Sequence, residues 1–230
     1  MNYRHFFRLW YGTMYELALF PLNTVLFPST PLHLHIFENR YKRMVGECIS
    51  QQKPFGVVLI RRGEEALGAL ADPHRIGCTA HIIEIEHLPQ GRFNLTVMGK
   101  DRFRILSLDS QSHPYLVGVV ENYPVAEQSL EVLQPAASRL QTQLMRYLRL
   151  LVEAGLIELD TSRVPENPLI MAYFSAALLQ IPALQKQKLL SIHDAQTLIN
   201  RLITIYIREV ALTRKLLRSS GTEQGSFSAN

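Results

Sequence analysis

The stretch PLHLHIFENRY, residues 31–41, contains the point at which the sequence changes from a strand pattern to a helix pattern. LHLHIF is typical of a strand, and because strand side chains alternate, His33 and His35 should project from the same face. Glu38 falls in the predicted first turn of the helix, where the helix dipole favours an acid. From residue 37 onward, apolar residues recur at helical spacing: Phe37, Tyr41, Met44, Val45, Cys48 and Ile49. The stretch therefore predicts a strand that leads directly into a helix.

His33, His35 and Glu38 together raise the question of a metal site. Imidazole and carboxylate groups bind first-row transition metals, and Glu38 could turn back toward the histidines from the start of the helix. A metal site needs three or four converging ligands, however, and no third histidine occupies a similarly suggestive position. We therefore favour two half-buried structural histidines and assign no metal or cofactor. A metal-dependent small-barrel enzyme that uses these three residues is kept as an alternative.

The first half of the chain is dominated by strand patterns that turns separate. The predicted strands are YELALF (15–20), TVLFP (24–28), FGVVLIRR (55–62), IGCTAHIIEIEHL (76–88), LPQGRFNLTVMG (88–99), KDRFRILSL (100–108) and YLVGVVENYP (115–124). A slip in the alternation between Ile82 and Ile83 predicts a β-bulge. Residues 89–91 and 99–101 are predicted turns. Several short antiparallel strands, one helix and no β-α-β alternation favour a small closed or half-closed barrel.

The second half of the chain has helical spacing from about residue 127. Gly155 is suited to end a first long helix, and Asn167 with Pro168 predicts the cap and first residue of a second. Pro182 could begin a short third helix, and Asp194 could cap a last one. The residues that step by four and three along the first helix are Leu133, Ala137, Leu140, Leu144, Tyr147 and Leu151. Those predicted to face inward on the last helix are Ala195, Leu198, Leu202, Ile205 and Tyr206.

Composition and charge exclude several classes of protein. Apolar residues make up 47% and charged residues 19% of the 230 residues, which is typical of a folded globular protein. The formal charge of +4 is spread evenly along the chain, which argues against nucleic-acid binding. No uninterrupted apolar run reaches the length of about 18 residues that a membrane-spanning helix needs. The first residues contain no apolar stretch long enough for a secretory core, and Cys48 and Cys78 are predicted to be buried free thiols, so we expect a cytoplasmic location.

The polar residues form no recognisable catalytic motif, and we assign no catalytic residue. The one Gly-Lys pair is followed by Asp101 where a phosphate-binding loop has serine or threonine, and no G-x-S-x-G motif occurs. Arg102 and Glu38 each lie beside a core aromatic residue at the end of an element. We expect each of these charged side chains to have a partner of opposite charge or a hydrogen-bond partner, and each is a candidate partner for the other.

Five short blocks follow one another along the chain: FPL (20–22), LFP (26–28), HIFENRY (35–41), GKDRF (99–103) and PYL (114–116). Taken in this order, they resemble the amino-terminal substrate-binding domain of the ATP-dependent protease Lon. The similarity continues through NPLIMAYFSAALLQIPALQKQKLLSIHD (167–194) and covers roughly residues 14 to 217. Ser29 and Asn39 depart from the family, which often has glycine and proline at these positions.

The resemblance implies an α+β protein. We expect a β-rich, PUA-like pseudo-barrel with one embedded helix at residues 14–125, followed by a helical bundle at residues 126–217. Residues 1–13 are expected to be an N-terminal extension, either a loose arm or the result of placing the translation start at Met1 rather than Met14. Residues 218–230 are polar and are expected to form a disordered tail.

The resemblance also implies a free-standing, non-enzymatic member of the family, without the ATPase and Ser-Lys peptidase modules of a Lon protease. The expected partners are polypeptide segments, including unfolded ones, that bind at an apolar groove or an unpaired strand edge. Pro21, Pro28 and Pro31 could border such an edge or be ordinary corners. An adaptor to a separate ATP-dependent protease or chaperone is an alternative. No ligand-binding residue is assigned, and no membrane partner is expected.

Overall fold

The computed structural model describes residues 14–65, 71–126, 128–158 and 164–224, with side chains as far as residue 217. Within these ranges the chain is an α+β protein with seven strands and five helices. The strands are β1 (Tyr15–Leu22), β2 (Pro31–Ile36), β3 (Phe55–Arg62), β4 (Asp72–Pro73), β5 (Ile76–Leu88), β6 (Arg92–Asp109) and β7 (Leu116–Asn122). The helices are α1 (Asn39–Gln51), α2 (Leu130–Glu153), α3 (Pro168–Leu178), α4 (Ala183–Leu190) and α5 (Ala195–Gln224).

The chain divides into two compact units. The first consists of the residues up to Val125 together with Ala177–His193, and the second of Ala126–Ala176 together with the residues from Asp194 onward. The seven strands, α1 and α4 therefore belong to the first unit. The division between residues 14–125 and 126–217 stays a prediction, but the helix α4 lies with the strands in this partition.

The sheet of the first unit is organised around β6. Its strand order is β1-β7-β6-β5-β3-β4, while β2 pairs with β6 and β1 also pairs with β3. All of these pairings are antiparallel except the one between β1 and β3. β5 and β6 are joined by the tight turn predicted at residues 89–91. The register of β5 shifts between Ile82 and Glu84, which confirms the predicted bulge.

The predicted turn at residues 99–101 is wrong, because β6 runs unbroken through these residues. Gly99 is needed for a close approach of backbone instead: its N–H donates to the carbonyl of Thr30 at 3.0 Å, and its carbonyl accepts from the N–H of Ser29 at 2.8 Å. A Cβ atom on Gly99 would lie 2.1 Å from the carbonyl oxygen of Phe27. The glycine therefore marks where the loop between β1 and β2 crosses β6. Residues 24–28, predicted as a strand, belong to that loop.

The described core of the first unit includes two apolar clusters. One contains the inward face that the helical spacing predicted for α1, namely Tyr41, Met44, Val45 and Cys48. The other contains Leu17, Leu19, Val58, Phe103, Ile105, Leu116 and Val120. Cys48 and Cys78 are free and buried, as predicted. Burial raises the pKa of the Cys48 thiol to about 11 and that of Cys78 to about 12.

The start of α1 differs from the prediction. Glu38 has extended backbone, with φ −73° and ψ 138°, and is the N-cap residue rather than a member of the first turn. Phe37 therefore precedes the helix, and its side chain is 46% exposed instead of lying in the core. The change from strand to helix takes the two residues between Ile36 and Asn39, so the helical spacing begins later than the sequence pattern indicates.

Arg102 is a buried charge of the first unit, and it is only 3% exposed. Its Nη1 atom donates to the carbonyl oxygens of Leu190, at 2.6 Å, and of Ile192. Its guanidinium also lies 5.0 Å from the ring centre of Tyr123. The two carbonyls are at the C-terminal end of α4, where the helix dipole favours a cation. Arg102 thus has a partner, as predicted, but the partner seen is this helix end rather than the candidate Glu38, which pairs with Arg40.

The second unit confirms the helix ends predicted from local sequence. Gly155 follows α2 with a φ of +68°. The Oδ1 atom of Asn167 accepts hydrogen bonds from two N–H groups in the first turn of α3. Asp194 caps α5 by accepting from the N–H of Thr197 at 2.6 Å. All the residues predicted to face inward on α5 are buried: Ala195, Leu198, Leu202, Ile205 and Tyr206.

Residues 1–13 lie outside the described residues, so a loose arm and a translation start at Met14 both stay predictions. α5 continues to Gln224, so the expected disordered tail at residues 218–230 is helical in its first part. Adding residues to a helix that has already formed costs far less free energy than starting a new helix, so polar residues can extend α5 there. Among the described residues, no helix has the length and apolar character needed to cross a membrane.

Candidate functional site

The first unit has an open strand edge at β2. β2 pairs with residues 93–98 of β6, and no other strand among the described residues pairs with it. Backbone groups on the other edge of β2 can therefore receive a further strand, because an unpaired edge is a template for another chain. Pro31 is the first residue of β2 and borders this edge. Pro21 lies within β1, and Pro28 lies in the loop before β2.

A cleft of about 300 Å³, which we call the β2 groove, lies beside this edge. Every residue from 32 to 38 lines it. Successive side chains of a strand point to opposite faces, so contact with all of them indicates a cleft that follows the edge of β2 rather than one face. The remaining lining residues come from β1, the turn after it, α1 and the segment after β3: Phe20, Leu22, Thr24, Tyr41 and Glu65. The groove therefore runs beside the edge at which an added strand would pair.

The inner wall of the β2 groove is apolar. Phe20 and Tyr41 are 6% and 4% exposed, and their ring centres are 4.2 Å apart. Burial raises the pKa of the Tyr41 hydroxyl to about 12, so this wall carries no phenolate at neutral pH. Phe37 is exposed and stacks on His35, with 5.9 Å between the ring centres. An apolar side chain that entered the groove would meet aromatic rings.

His33, His35 and Glu38 all line the β2 groove, but the structure does not join them as metal ligands. The histidines project from one face of β2, as predicted, and both bond to side chains of β6. Glu38 forms an ion pair with Arg40, in which Nη2 and Oε2 are 3.0 Å apart. Across the ranges that the structure describes, no three His, Cys, Asp or Glu side chains are grouped to hold a metal ion. The geometry therefore gives the metal-enzyme alternative no support.

A row of hydrogen bonds crosses three strands on the outer face of β2. The Thr96 hydroxyl donates to Oε2 of Glu84 at 3.0 Å, and its own oxygen, Oγ1 of Thr96, lies 3.2 Å from Nδ1 of His33. A hydroxyl has one hydrogen, and a carboxylate can only accept it, so Thr96 must accept its other bond from His33. Nδ1 of His33 therefore carries a hydrogen, and Nε2 is the acceptor of the neutral ring.

A second row repeats this arrangement with an amide at its centre. Nδ2 of Asn94 donates to Oε2 of Glu86 at 2.7 Å, and Oδ1 of Asn94 lies 2.8 Å from Nδ1 of His35. Because an amide oxygen can only accept, Nδ1 of His35 must be the donor. Both imidazoles thus keep Nε2 as the acceptor of the neutral ring, and each is backed by a carboxylate two strands away.

Three tripeptides form these two rows: HLH (33–35), NLT (94–96) and EIE (84–86). In each tripeptide two polar residues flank an apolar one, so the polar pair shares one face of its strand. The registers of β2, β6 and β5 then align the three pairs. The sequence identifies Glu84 and Glu86 as outward residues of their strand, and both are exposed. It does not reveal the rows, because the bulge in β5 decides which residues meet.

Comparison with known proteins finds one family. A family model described as the ATP-dependent protease La (LON) substrate-binding domain matches residues 16–207. Lon protease of Anaeromyxobacter dehalogenans is 27% identical over 178 residues, which are 76% of this chain and 21% of that protein. Lon protease 2 of Myxococcus xanthus is 27% identical over 209 residues, or 89% of this chain and 24% of that protein. The chain thus spans about a quarter of the length of the curated relatives it matches.

Two solved structures share the fold. The crystal structure of a Lon N-terminal domain protein from Xanthomonas campestris has a TM-score of 0.58 and 24% identity, and the match covers 83% of this chain and 98% of that one. The N-terminal domain of a Mycobacterium avium complex Lon protease has a TM-score of 0.62 and 16% identity, with 86% and 98% covered. At these identities the likeness shows the α+β fold.

Proposed function

The chain belongs to the LON substrate-binding domain family, and we propose that it is a non-catalytic module that recognises polypeptides. The match to the family model over residues 16–207 supports substrate recognition. The absence of catalysis is part of the proposal, and it is supported by the family description, which names the substrate-binding domain of an ATP-dependent protease and not its catalytic part.

The proposed mode of recognition is addition of an extended segment to the open edge of β2. The observation that carries it is the β2 groove, which follows the edge of β2 from residue 32 and continues past the end of the strand to residue 38. Backbone hydrogen bonds along an edge supply affinity without regard to sequence, and pockets for alternate side chains add preference. A module that binds many polypeptides needs this combination.

The proposal is tested by titrating the ¹⁵N-labelled full chain with ribonuclease that has been unfolded by reducing and capping its disulfides. We expect saturable binding, with amide shift changes concentrated at residues 31–38. Native ribonuclease has the same sequence without free segments, so it should cause no such changes. Equal binding of the native and unfolded forms, or shift changes confined to other parts of the chain, would overturn the proposal.

Two exposed apolar residues provide a matched pair of variants for this experiment. Phe37, at the β2 groove, is 46% exposed, and Ile83, which does not line the groove, is 52% exposed. Because both side chains are exposed, replacing either one with serine leaves no cavity in the core, and both variants should fold. Phe37→Ser should weaken binding about fivefold or more, as the loss of a peripheral aromatic contact does. Ile83→Ser should leave affinity within about twofold of the original.

We propose as a second candidate that the module is an adaptor, which passes bound polypeptides to a separate protease or chaperone. The support is that the curated relatives are named as proteases. Purification of the tagged full chain from a native cell extract, followed by an ATPase assay of the eluate, tests this role. An eluate with no more ATPase activity than a tagged control protein would count against it.

The finer architecture is also proposed rather than established. Pairing of β1 with both β7 and β3 supports a PUA-like pseudo-barrel. Contacts between α2 and α5 support a helical bundle in the second unit. The two free buried cysteines are compatible with the proposed cytoplasmic location, because a reducing compartment preserves thiols.

A further inference from the structure

We infer that the segment bound at β2 is an extended strand with apolar side chains on one face and lysine or arginine on the other. This inference rests on the proposed function and names the chemistry of its ligand. An added strand continues the alternation of β2, so its side chains must suit two different surfaces in turn. Each surface can be described from the residues that β2 and its neighbours present.

The inward face of the added strand meets apolar side chains. On this face β2 contributes Leu32, Leu34 and Ile36, which belong to or pack against the core. Phe20 and Tyr41 stand across the groove. Aliphatic or aromatic side chains at alternate positions of the ligand would lose their water-exposed surface here. Because removing apolar area from water is favourable, such side chains would be preferred over polar ones here.

The outward face of the added strand lies beside His33 and His35. Their Nδ1 hydrogens are committed to Thr96 and Asn94, so each ring in its neutral form offers the Nε2 acceptor to a neighbour. Side chains directly opposite each other on adjacent strands are close enough to interact. The outward residues of the ligand must therefore be donors to suit this face.

The negative charge around β2 favours cationic donors, such as lysine and arginine, over neutral ones. Glu84 and Glu86 line the hollow on the outer face, of about 520 Å³, and Glu38 and Glu65 line the β2 groove. Among the described residues, neither lining includes a lysine or an arginine. Arg40 offsets the charge of Glu38 through their ion pair. Three carboxylates, those of Glu65, Glu84 and Glu86, then remain around the edge of β2, although the chain as a whole has a formal charge of +4. A segment with lysine or arginine on its outward face complements this charge, and an acidic segment is repelled.

The test uses three fluorescent heptapeptides with the full chain, measured by fluorescence anisotropy at low salt. One is Val-Lys-Val-Lys-Val-Lys-Val, one replaces each lysine with glutamate, and one has the first composition with lysines and valines in separate blocks. We expect the alternating lysine peptide to bind at least tenfold more tightly than either of the others. The blocked peptide controls for net charge, because it carries the same charges without the alternation.

A double variant assigns the preference to the outer rows. Glu84→Gln with Glu86→Gln removes two charges but keeps acceptors for Thr96 and Asn94, so β2 should stay in place. The tenfold preference for lysine over glutamate should fall to about threefold or less. Glu131→Gln with Glu153→Gln, two exposed positions on α2, removes the same charge elsewhere and should preserve the preference.

The outcomes separate this inference from the function on which it rests. If the glutamate peptide binds as tightly as the lysine peptide, with shift changes at β2, the inference is overturned and edge recognition stands. If the second double variant removes the preference as fully as the first, the local charge assignment is overturned. If no peptide and no unfolded ribonuclease binds, both the inference and the proposed function fail.

Discussion

Among single residues, Arg102 combines nearly complete burial with a full positive charge, and its acceptors are backbone carbonyls at the end of α4. Arg102→Ala should lower the free energy of unfolding by about 3 kcal/mol, because hydrogen bonds to a charged donor are lost and buried carbonyls are left without that donor. Urea unfolding followed by circular dichroism measures this change.

Arg104 is the matched control, two residues further along β6. Its side chain is 45% exposed, and it forms an ion pair with Glu121 at 3.3 Å. Exposed pairs of this kind contribute less than about 1 kcal/mol, so Arg104→Ala should shift the urea midpoint only slightly. Similar losses in the two variants would contradict the role given to the helix end.

The two thiols make a prediction about alkaline pH. Burial raises the pKa of Cys48 to about 11 and of Cys78 to about 12, from a value of 9.0 in the absence of burial. Below pH 9 both thiols are protonated in the folded and unfolded chains, and stability is unaffected. Above pH 9 the thiols ionise mainly in the unfolded chain, so the free energy of unfolding should fall by about 1.4 kcal/mol per thiol for each pH unit until the folded pKa is reached.

Unfolding in urea at pH 8 and pH 10.5 checks this prediction. The variant with Cys48→Ala and Cys78→Ala starts from a lower stability but should lose less between the two pH values. Other groups that ionise in this range are present in both proteins, so the difference between the two losses isolates the thiols. An equal loss in the two proteins would show that the thiols do not cause it.

At the scale of elements, β6 depends on a glycine that gives the loop between β1 and β2 room to cross. Gly99→Ala would place Cβ 2.1 Å from the carbonyl oxygen of Phe27, a contact that backbone must move to relieve. We expect a loss of about 3 kcal/mol in unfolding free energy, as for severe overpacking. Thermal unfolding followed by circular dichroism should show a clearly lower midpoint.

The control for that substitution is Gly46→Ala, in the middle of α1. A Cβ atom there meets no atom within 4 Å, and the position is exposed. Alanine should therefore stabilise the helix by about 0.5–1 kcal/mol. If both glycine substitutions change the midpoint in the same direction, space around Gly99 is not what the strand requires.

These elements also explain which parts of the fold could be predicted from sequence. The caps at Asn167 and Asp194 were predictable because a cap and the N–H groups it binds lie within three residues of each other. Gly99 was misassigned as a turn residue because the atoms that require a glycine come from Phe27, far away along the chain. Phe37 was misassigned because its spacing from Tyr41 fits a helix that starts two residues later.

In the candidate site, too, features set by neighbouring residues were predictable and features set by distant residues were not. That His33 and His35 share a face was predictable, since the period of a strand is two. Their partners in β6 and β5 were not, because strand register is set by the bulge and by the turn at residues 89–91. The groove was also hidden, since its two walls are brought together only by folding.

At the scale of the whole molecule, the first unit is discontinuous, because it includes Ala177–His193. Arg102 bonds to the carbonyls of Leu190 and Ile192, and Nε2 of Gln187 donates to the carbonyl of Ile76 at 3.0 Å. A fragment of residues 14–125 lacks these partners. We expect it to unfold without a cooperative thermal transition, as followed by circular dichroism.

The control fragment joins residues 177–193 to residue 125 through a glycine-serine linker. This fragment restores the acceptors for Arg102 and the donor for Ile76, so it should recover a cooperative transition. If the two fragments have the same thermal midpoint, the returning segment is not needed for the first unit to fold.

The position of β2 also has a consequence for the order in which backbone amides exchange with heavy water. Residues 93–98 of β6 lie between β5 and β2, so they remain bonded on one side when either neighbour opens. β2 is bonded to β6 alone among the described strands, so local opening there breaks backbone bonds on one side only. A segment that pairs with its free edge turns β2 from a marginal strand into an interior one. Occupancy of the groove would then be recorded as slowed deuterium uptake in β2 itself, whatever sequence the bound segment carries.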